Sequence, residues 1–250
     1  MKTFKKKLKK FGKLIWEFFK NSLPASLMFC TAGIVLMMLT MKGGSDALEE
    51  TVKHTWTSTS LLWTIVCAVA ACGYEGLLMY AYGGTHYEML VSGNLKRTSE
   101  LGYRDSKHKE EKEYRAWKGF AVGAFVALFT IVFGIIFGCN QKALSADTAE
   151  NLSTGMAILL LVGFFLSGWS IIPLYLMNAT GIYVSYFWSC LFGILPIIVA
   201  GVFYIIGAYG RRNKVIRQQE LADKAAATAT QKPKKINYGG LPGTKPKKRK

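Results

Sequence analysis

Acidic residues are scarce in this chain: 15 Asp and Glu stand against 32 Lys and Arg, and the formal net charge is +17 over 250 residues. Only 3 histidines and 5 cysteines are available to ligate a metal. The cysteines, Cys30, Cys67, Cys72, Cys139 and Cys190, have neither zinc-ligand spacing nor the pattern of a disulfide framework. No glycine-rich phosphate loop is present, and no nucleophile with an evident base, so no metal and no cofactor are expected, and an enzyme is the less favoured class without being excluded. Most informative is a gap in charge. Between Leu152 and Gly210, 59 consecutive residues contain no Asp, Glu, Lys or Arg.

What fills the chain instead is apolar. Hydrophobic residues make up 51% of it, and the mean hydropathy is +0.21 despite the basic excess. The two properties coexist because apolar and charged residues occupy separate stretches, the signature of membrane spans. The expected fold is an all-α polytopic integral membrane protein with five apolar helical segments, of which four or five span the bilayer. They fall at about 23–41, 55–82, 117–138, 154–177 and 181–209. Gly43-Gly44 and Gly83-Gly84 read as the ends of the first two, and Pro24 as a helix start. Together, residues 21–210 form the transmembrane domain, with a polar loop at 85–116 whose mixed charges from Ser106 to Lys118 read as a solvated helix.

The flanks have their own character. In residues 1–20, Phe4, Leu8, Phe11, Ile15, Phe18 and Phe19 recur at helical spacing, with lysines between them. That pattern predicts a basic amphipathic helix lying in the membrane interface, its lysines among anionic headgroups. Residues 211–250 combine Lys, Arg, Ala, Gly and Pro and read as a disordered basic tail.

The distribution of positive charge bears on topology. If all five segments cross, Lys and Arg divide sixteen against sixteen between the two sides. If four cross and one enters and returns, the division is 29 against 3, the bias that orients membrane proteins toward the cytoplasm. The second arrangement is favoured. It puts the N-terminus, the loop 85–116 and the tail on one cytoplasmic side, in a bacterial plasma membrane. The returning segment belongs to the charge-free run, where Pro173 and Pro196 could break a helix.

Glu75 is the one acid inside an apolar segment, and a carboxylate there is costly unless it is protonated, paired or hydrated. With Tyr74, Asn178 and Ser185 it forms the candidate set for a substrate, proton or ion site. The charge-free run also holds Ser167, Ser170, Thr180, Tyr183, Tyr186 and Ser189, which could line a path through broken helices or simply bond helix to helix. His86-x-Glu88 alone is too little for a metal site. Lys5, Lys6, Lys7, Lys9, Lys10, Arg211 and Arg212 are the candidate contacts to anionic lipid or an acidic partner. A protein partner, or a second copy docking through the membrane helices, is compatible with this surface. Nucleic acid is the less economical explanation of the charge.

Two functions follow. A membrane-embedded accessory or scaffold would use the basic cytoplasmic face. A small-solute or ion transporter, channel or transporter subunit would use Glu75.

Overall fold

The structure, a computed structural model, describes residues 2–40, 56–98, 112–144 and 154–230. Among these there are helices and no strands. In chain order they are α1 (Lys2–Thr40), α2 (Ser58–Thr98), α3 (Trp117–Cys139), a 3-10 turn (Gln141–Leu144), α4 (Thr154–Ala179), a short α5 (Trp188–Phe192) and α6 (Ile194–Thr230). Five stretches are long and apolar enough to cross a membrane: Phe11–Thr40, Ser58–Gly93, Trp117–Cys139, Thr154–Ala179 and Trp188–Ala227. Their outward faces carry large apolar side chains such as Leu27, Met38, Leu77 and Leu161. In water that surface would be untenable; against acyl chains it is expected.

Small residues let the helices pack, as they do where lipid offers no hydrophobic drive for association. Gly33 on α1 and Gly168 on α4 touch, a Cβ built on Gly33 lying 3.0 Å from the Gly168 Cα. On α3, a Cβ at Gly123 would lie 2.7 Å from the Ile197 Cα. On α2, a Cβ at Gly83 would overlap the Tyr204 carbonyl oxygen, and one at Gly207 would overlap that of Tyr80.

These contacts fix the directions of the helices. Phe18 packs on Trp117 and Phe125, with ring centroids 5.6 and 6.4 Å apart, so α1 and α3 start at the same end. Glu17 on α1 meets His86 late in α2, so those two run antiparallel. Gly83 lies by Tyr204 and Glu88 pairs with Arg211, so α2 and α6 run parallel. The start of α1, the end of α2, the start of α3 and the end of α6 therefore share one end of the bundle. We call it the basic end.

One element departs from a straight rod. Ser167, inside α4, has φ −134° and ψ 17°, outside the helical region. The Phe164 and Tyr175 rings meet edge to face at 5.3 Å, whereas eleven residues of straight helix rise about 16 Å. Ala157, Leu160 and Phe164 before the break line the same cavity as Tyr175 after it. α4 is thus a helical hairpin. Its first leg starts by Ile34 and Met37 near the end of α1. Its second leg ends beside Gln141, whose side-chain amide and that of Asn178 both donate to the Val184 carbonyl, at 3.0 and 2.8 Å. Both feet of the hairpin therefore stand at the end opposite the basic one. Its tip is buried beside Gly33 and Thr130, where the Trp169 indole N–H donates to the Thr130 hydroxyl at 3.2 Å. The break falls at Ser167-Gly168 and not at either proline.

Several sequence boundaries need correction. Pro24 lies inside α1, which runs unbroken from Lys2 to Thr40, so residues 2–20 belong to the same helix as the first apolar stretch, Phe11–Thr40, and are no separate helix. Gly83 and Gly84 do not end α2; it continues to Thr98 because α6 packs directly on those glycines. Glu113 and Lys118, read as solvated, are both buried, and the Lys118 Nζ donates to the Glu113 carbonyl at 2.7 Å. Residues 211–230, read as part of the tail, continue α6. The fifth segment begins at Trp188, after a non-helical stretch in which Gly181 has φ 83°. The third segment matches α3 closely. The loop 42–54, most of 99–116 and the tail beyond 230 lie outside the described residues.

Candidate functional site

Glu75 sits on the inward stripe of α2 between Ala71 and Met79, all three at 0% exposure. The spacing of four residues puts them on one face. Neither carboxylate oxygen has a hydrogen-bond partner. The other three members of the candidate set lie elsewhere. Tyr74 points out of the bundle at 39% exposure. Asn178 closes the turn after α4, taking a hydrogen bond from the Val184 N–H at 2.9 Å while its amide donates to the Leu174 and Val184 carbonyls. Ser185 accepts from the Phe187 N–H at 3.4 Å in the same turn. Asn178 and Ser185 thus shape the connection between α4 and α5 and do not approach Glu75. Of the basic candidates, Arg211 pairs with Glu88, and Arg212 is exposed. Lys5, Lys6, Lys7, Lys9 and Lys10 lie on α1, their side chains outside the described set.

The hairpin tip gathers a second group of polar atoms in the bundle interior. The Ser170 and Ser189 hydroxyls are bonded at 2.9 Å, and Ser189 reaches the Thr130 carbonyl at 3.4 Å. Ser167 is fully buried, and its hydroxyl has no partner. Most of these groups bond one another, which is how a polar core persists in an apolar setting.

Sequence reasoning missed a further polar cluster, which lies at the basic end. His86 is 6% exposed. Its Nδ1 and the Tyr204 hydroxyl are hydrogen-bonded at 2.8 Å, and its Nε2 lies 3.5 Å from a Glu17 carboxylate oxygen. Tyr114 stacks on Tyr204 with centroids 5.3 Å apart, and its N–H donates to the His86 carbonyl at 3.0 Å. Burial pushes the Tyr114 phenol above its ordinary pKa, with a lesser push from Tyr209. It therefore stays neutral, which suits a stacked ring. The cluster ties α1, α2, the 112–116 segment and α6 together where charge begins. Its sequence signal was slight: Glu17 is the lone acid among the first twenty residues, and His86 follows a glycine pair.

Chemically, the cluster has one imidazole with a carboxylate on one side and a phenol on the other. That set can lock helices together through the His86–Tyr204 hydrogen bond. It offers no nucleophile. Among the described residues, no group of three or more His, Cys, Asp or Glu could hold a metal ion. No family model, no curated protein and no solved structure matches this chain.

Proposed function

We propose that the chain is a membrane-embedded accessory or scaffold protein whose basic face, on the cytoplasmic side of a bacterial plasma membrane, engages anionic lipid or an acidic partner. The observation that carries this reading is the shared end of α1, α2 and α6. At about 1.5 Å per residue, these three helices are some 55–60 Å long, against about 30 Å of hydrocarbon. Two belts support a bilayer position. Trp117, Tyr80 and Tyr209 are exposed near the basic end, and Tyr183 and Trp188 are exposed at the other. On the fifth apolar stretch, 21 residues separate Trp188 from Tyr209, or about 32 Å of helix. Aromatic side chains of this kind favour the membrane–water boundary. In this reading four stretches cross, α4 enters and returns, and 29 of the 32 basic residues lie on one side.

A transporter or channel is the second reading. Glu75 and the interrupted helix α4 favour it, since discontinuous helices accompany solute sites at the midplane. Against it, neither Glu75 carboxylate oxygen has a hydrogen-bond partner, and its sequence-paired candidates lie elsewhere.

The test is lipid retention. The full chain is extracted from bilayers of equal phosphatidylglycerol and phosphatidylcholine and analysed by native mass spectrometry. Preferential retention of phosphatidylglycerol, weakened by salt, is expected. Equal retention of both lipids, together with a solute flux in proteoliposomes that Glu75→Gln abolishes, would replace the scaffold with the transporter.

A further inference from the structure

Near the exposed aromatic residues of the basic end, α2 and α6 flank a shallow groove. At Gly83 and Gly207 their backbones touch. Beside that contact, on the neighbouring face of α2, there is more room: a Cβ on Gly84 would have its nearest neighbours at 3.7 and 3.8 Å, in Gly207 and Arg211. The opening holds a cavity of about 230 Å³, lined among others by Tyr80, Gly84, Thr85, Glu88, Arg211 and Lys214. Arg211 and Lys214 lie three residues apart, on one side of α6. Glu88 pairs with Arg211, and the lining of two cations and one acid leaves a net charge of +1. An arginine fork holds five N–H donors, so one carboxylate does not exhaust it. Toward the membrane the same helices expose Leu77, Phe203 and Ile206, each at 39% or more.

We infer that this groove is a specific site for one anionic phospholipid, its headgroup phosphate held by Arg211 and Lys214 and its acyl chains lying along Leu77, Phe203 and Ile206. The inference rests on the reading of a basic face at a lipid surface and gives that face a discrete binding site. Three features select a lipid over a soluble anion. The cavity sits at headgroup depth beside Tyr80 and Tyr209. An apolar track continues from it into the bilayer. The pairing with Glu88 orients the guanidinium and lowers the net charge, so phosphate alone gains little without the chains. Basic pockets between membrane helices on the cytoplasmic side are established headgroup sites in general.

The experiment uses the full chain in a mild neutral detergent, with thermal stability read by tryptophan fluorescence. Short-chain phosphatidylglycerol, short-chain phosphatidylcholine and glycerol 3-phosphate are titrated in turn. Phosphatidylglycerol is expected to raise the melting temperature of the wild type, and the other two to leave it unchanged. Lys214→Gln, which breaks no ion pair seen in the structure, should weaken the apparent phosphatidylglycerol affinity about fivefold, the equivalent of about 1 kcal/mol per basic residue at a lipid surface. Glu88→Gln should tighten it, because the competing acid is gone, an effect no loss of structure would produce. Lys142→Gln, in the 3-10 turn at the opposite end of the bundle, should leave it within a factor of two. If phosphatidylglycerol shifts the wild type and Lys214→Gln alike, the groove is refuted while the basic-face reading stands. If phosphatidylglycerol acts no better than phosphatidylcholine on any variant, both are refuted. An equal response to glycerol 3-phosphate would replace the lipid with a soluble phosphate and overturn the inference.

Discussion

Gly83→Ala and Gly73→Ala are the same substitution on the same helix, and the structure gives them opposite signs. A methyl at Gly73 meets nothing within 4 Å. It should stabilise α2 by about 0.5–1 kcal/mol, because alanine loses less backbone freedom than glycine on folding. A methyl at Gly83 falls inside the envelope of the Tyr204 carbonyl oxygen, with the Ala208 nitrogen 3.2 Å away. Both neighbours are backbone, so no side chain can rotate to make room. Helix α6 must move, and overpacking of this kind costs about 1–3 kcal/mol beyond the shared gain. The movement would also disturb the Tyr204–His86 bond. At roughly 2–4 °C per kcal/mol, Gly83→Ala should melt about 2–12 °C below Gly73→Ala. Gly207→Ala, which meets the Tyr80 carbonyl, should behave as Gly83→Ala does. Thermal unfolding in detergent, followed by tryptophan fluorescence, reads all three. Equal melting temperatures for Gly83→Ala and Gly73→Ala would mean that α2 and α6 do not cross where described, and the groove above them would lose its basis.

Other substitutions probe the polar clusters by the same assay. Tyr204→Phe removes the hydroxyl bonded to His86 and leaves a buried ring nitrogen unmet, so a loss of about 1–3 kcal/mol is expected; an unchanged melting temperature would show that His86 is wetter than its 6% exposure implies. At the hairpin tip, Ser170→Ala breaks the bond to Ser189 and should cost about 1 kcal/mol, whereas Ser167→Ala removes an unpartnered hydroxyl and should be neutral or stabilising. The reverse order would place the break elsewhere in α4. Glu75→Gln should preserve fold and stability, because no partner of the carboxylate is lost; a fall above about 2 kcal/mol would reveal a partner the structure lacks.

How far the sequence could be read depends on which force decided each feature. Membrane residence was visible in the segregation of charge and in the 59-residue gap. That one apolar segment returns was inferred from charge, and the break at Ser167 makes α4 the segment to test. Its breaking point was not legible, because Pro173 and Pro196 are both accommodated within helices, while Ser167 gives no local signal. Gly83-Gly84 misled for a related reason. Glycine marks helix ends in water, but between membrane helices it marks close approach. The composition of the tail beyond Gly210 reads as disordered, yet RRNKVIRQQELADKAAATA carries good helix formers and α6 continues through it to Thr230. Glu113 and Lys118 looked solvated because charge in sequence says nothing about which loop folds over a bundle end. For the same reason the His86–Glu17–Tyr204 cluster was invisible, its members being 118 positions apart at the widest bond.

The central claim is that both feet of α4 stand on the side opposite all three basic segments. Cysteine accessibility in sealed cells tests it directly. Single cysteines replace Gly155, in the first turn of α4, Tyr183, just after it, and Ser99 and Ala226, which the proposed topology puts on the basic side, all in a Cys139→Ser background. An impermeant maleimide added outside should label Gly155→Cys and Tyr183→Cys, and should label Ser99→Cys and Ala226→Cys only after the cells are opened. Labelling from outside at Gly155→Cys but not at Tyr183→Cys, with Ala226→Cys also reached from outside, would show that α4 crosses the membrane and would contradict the account.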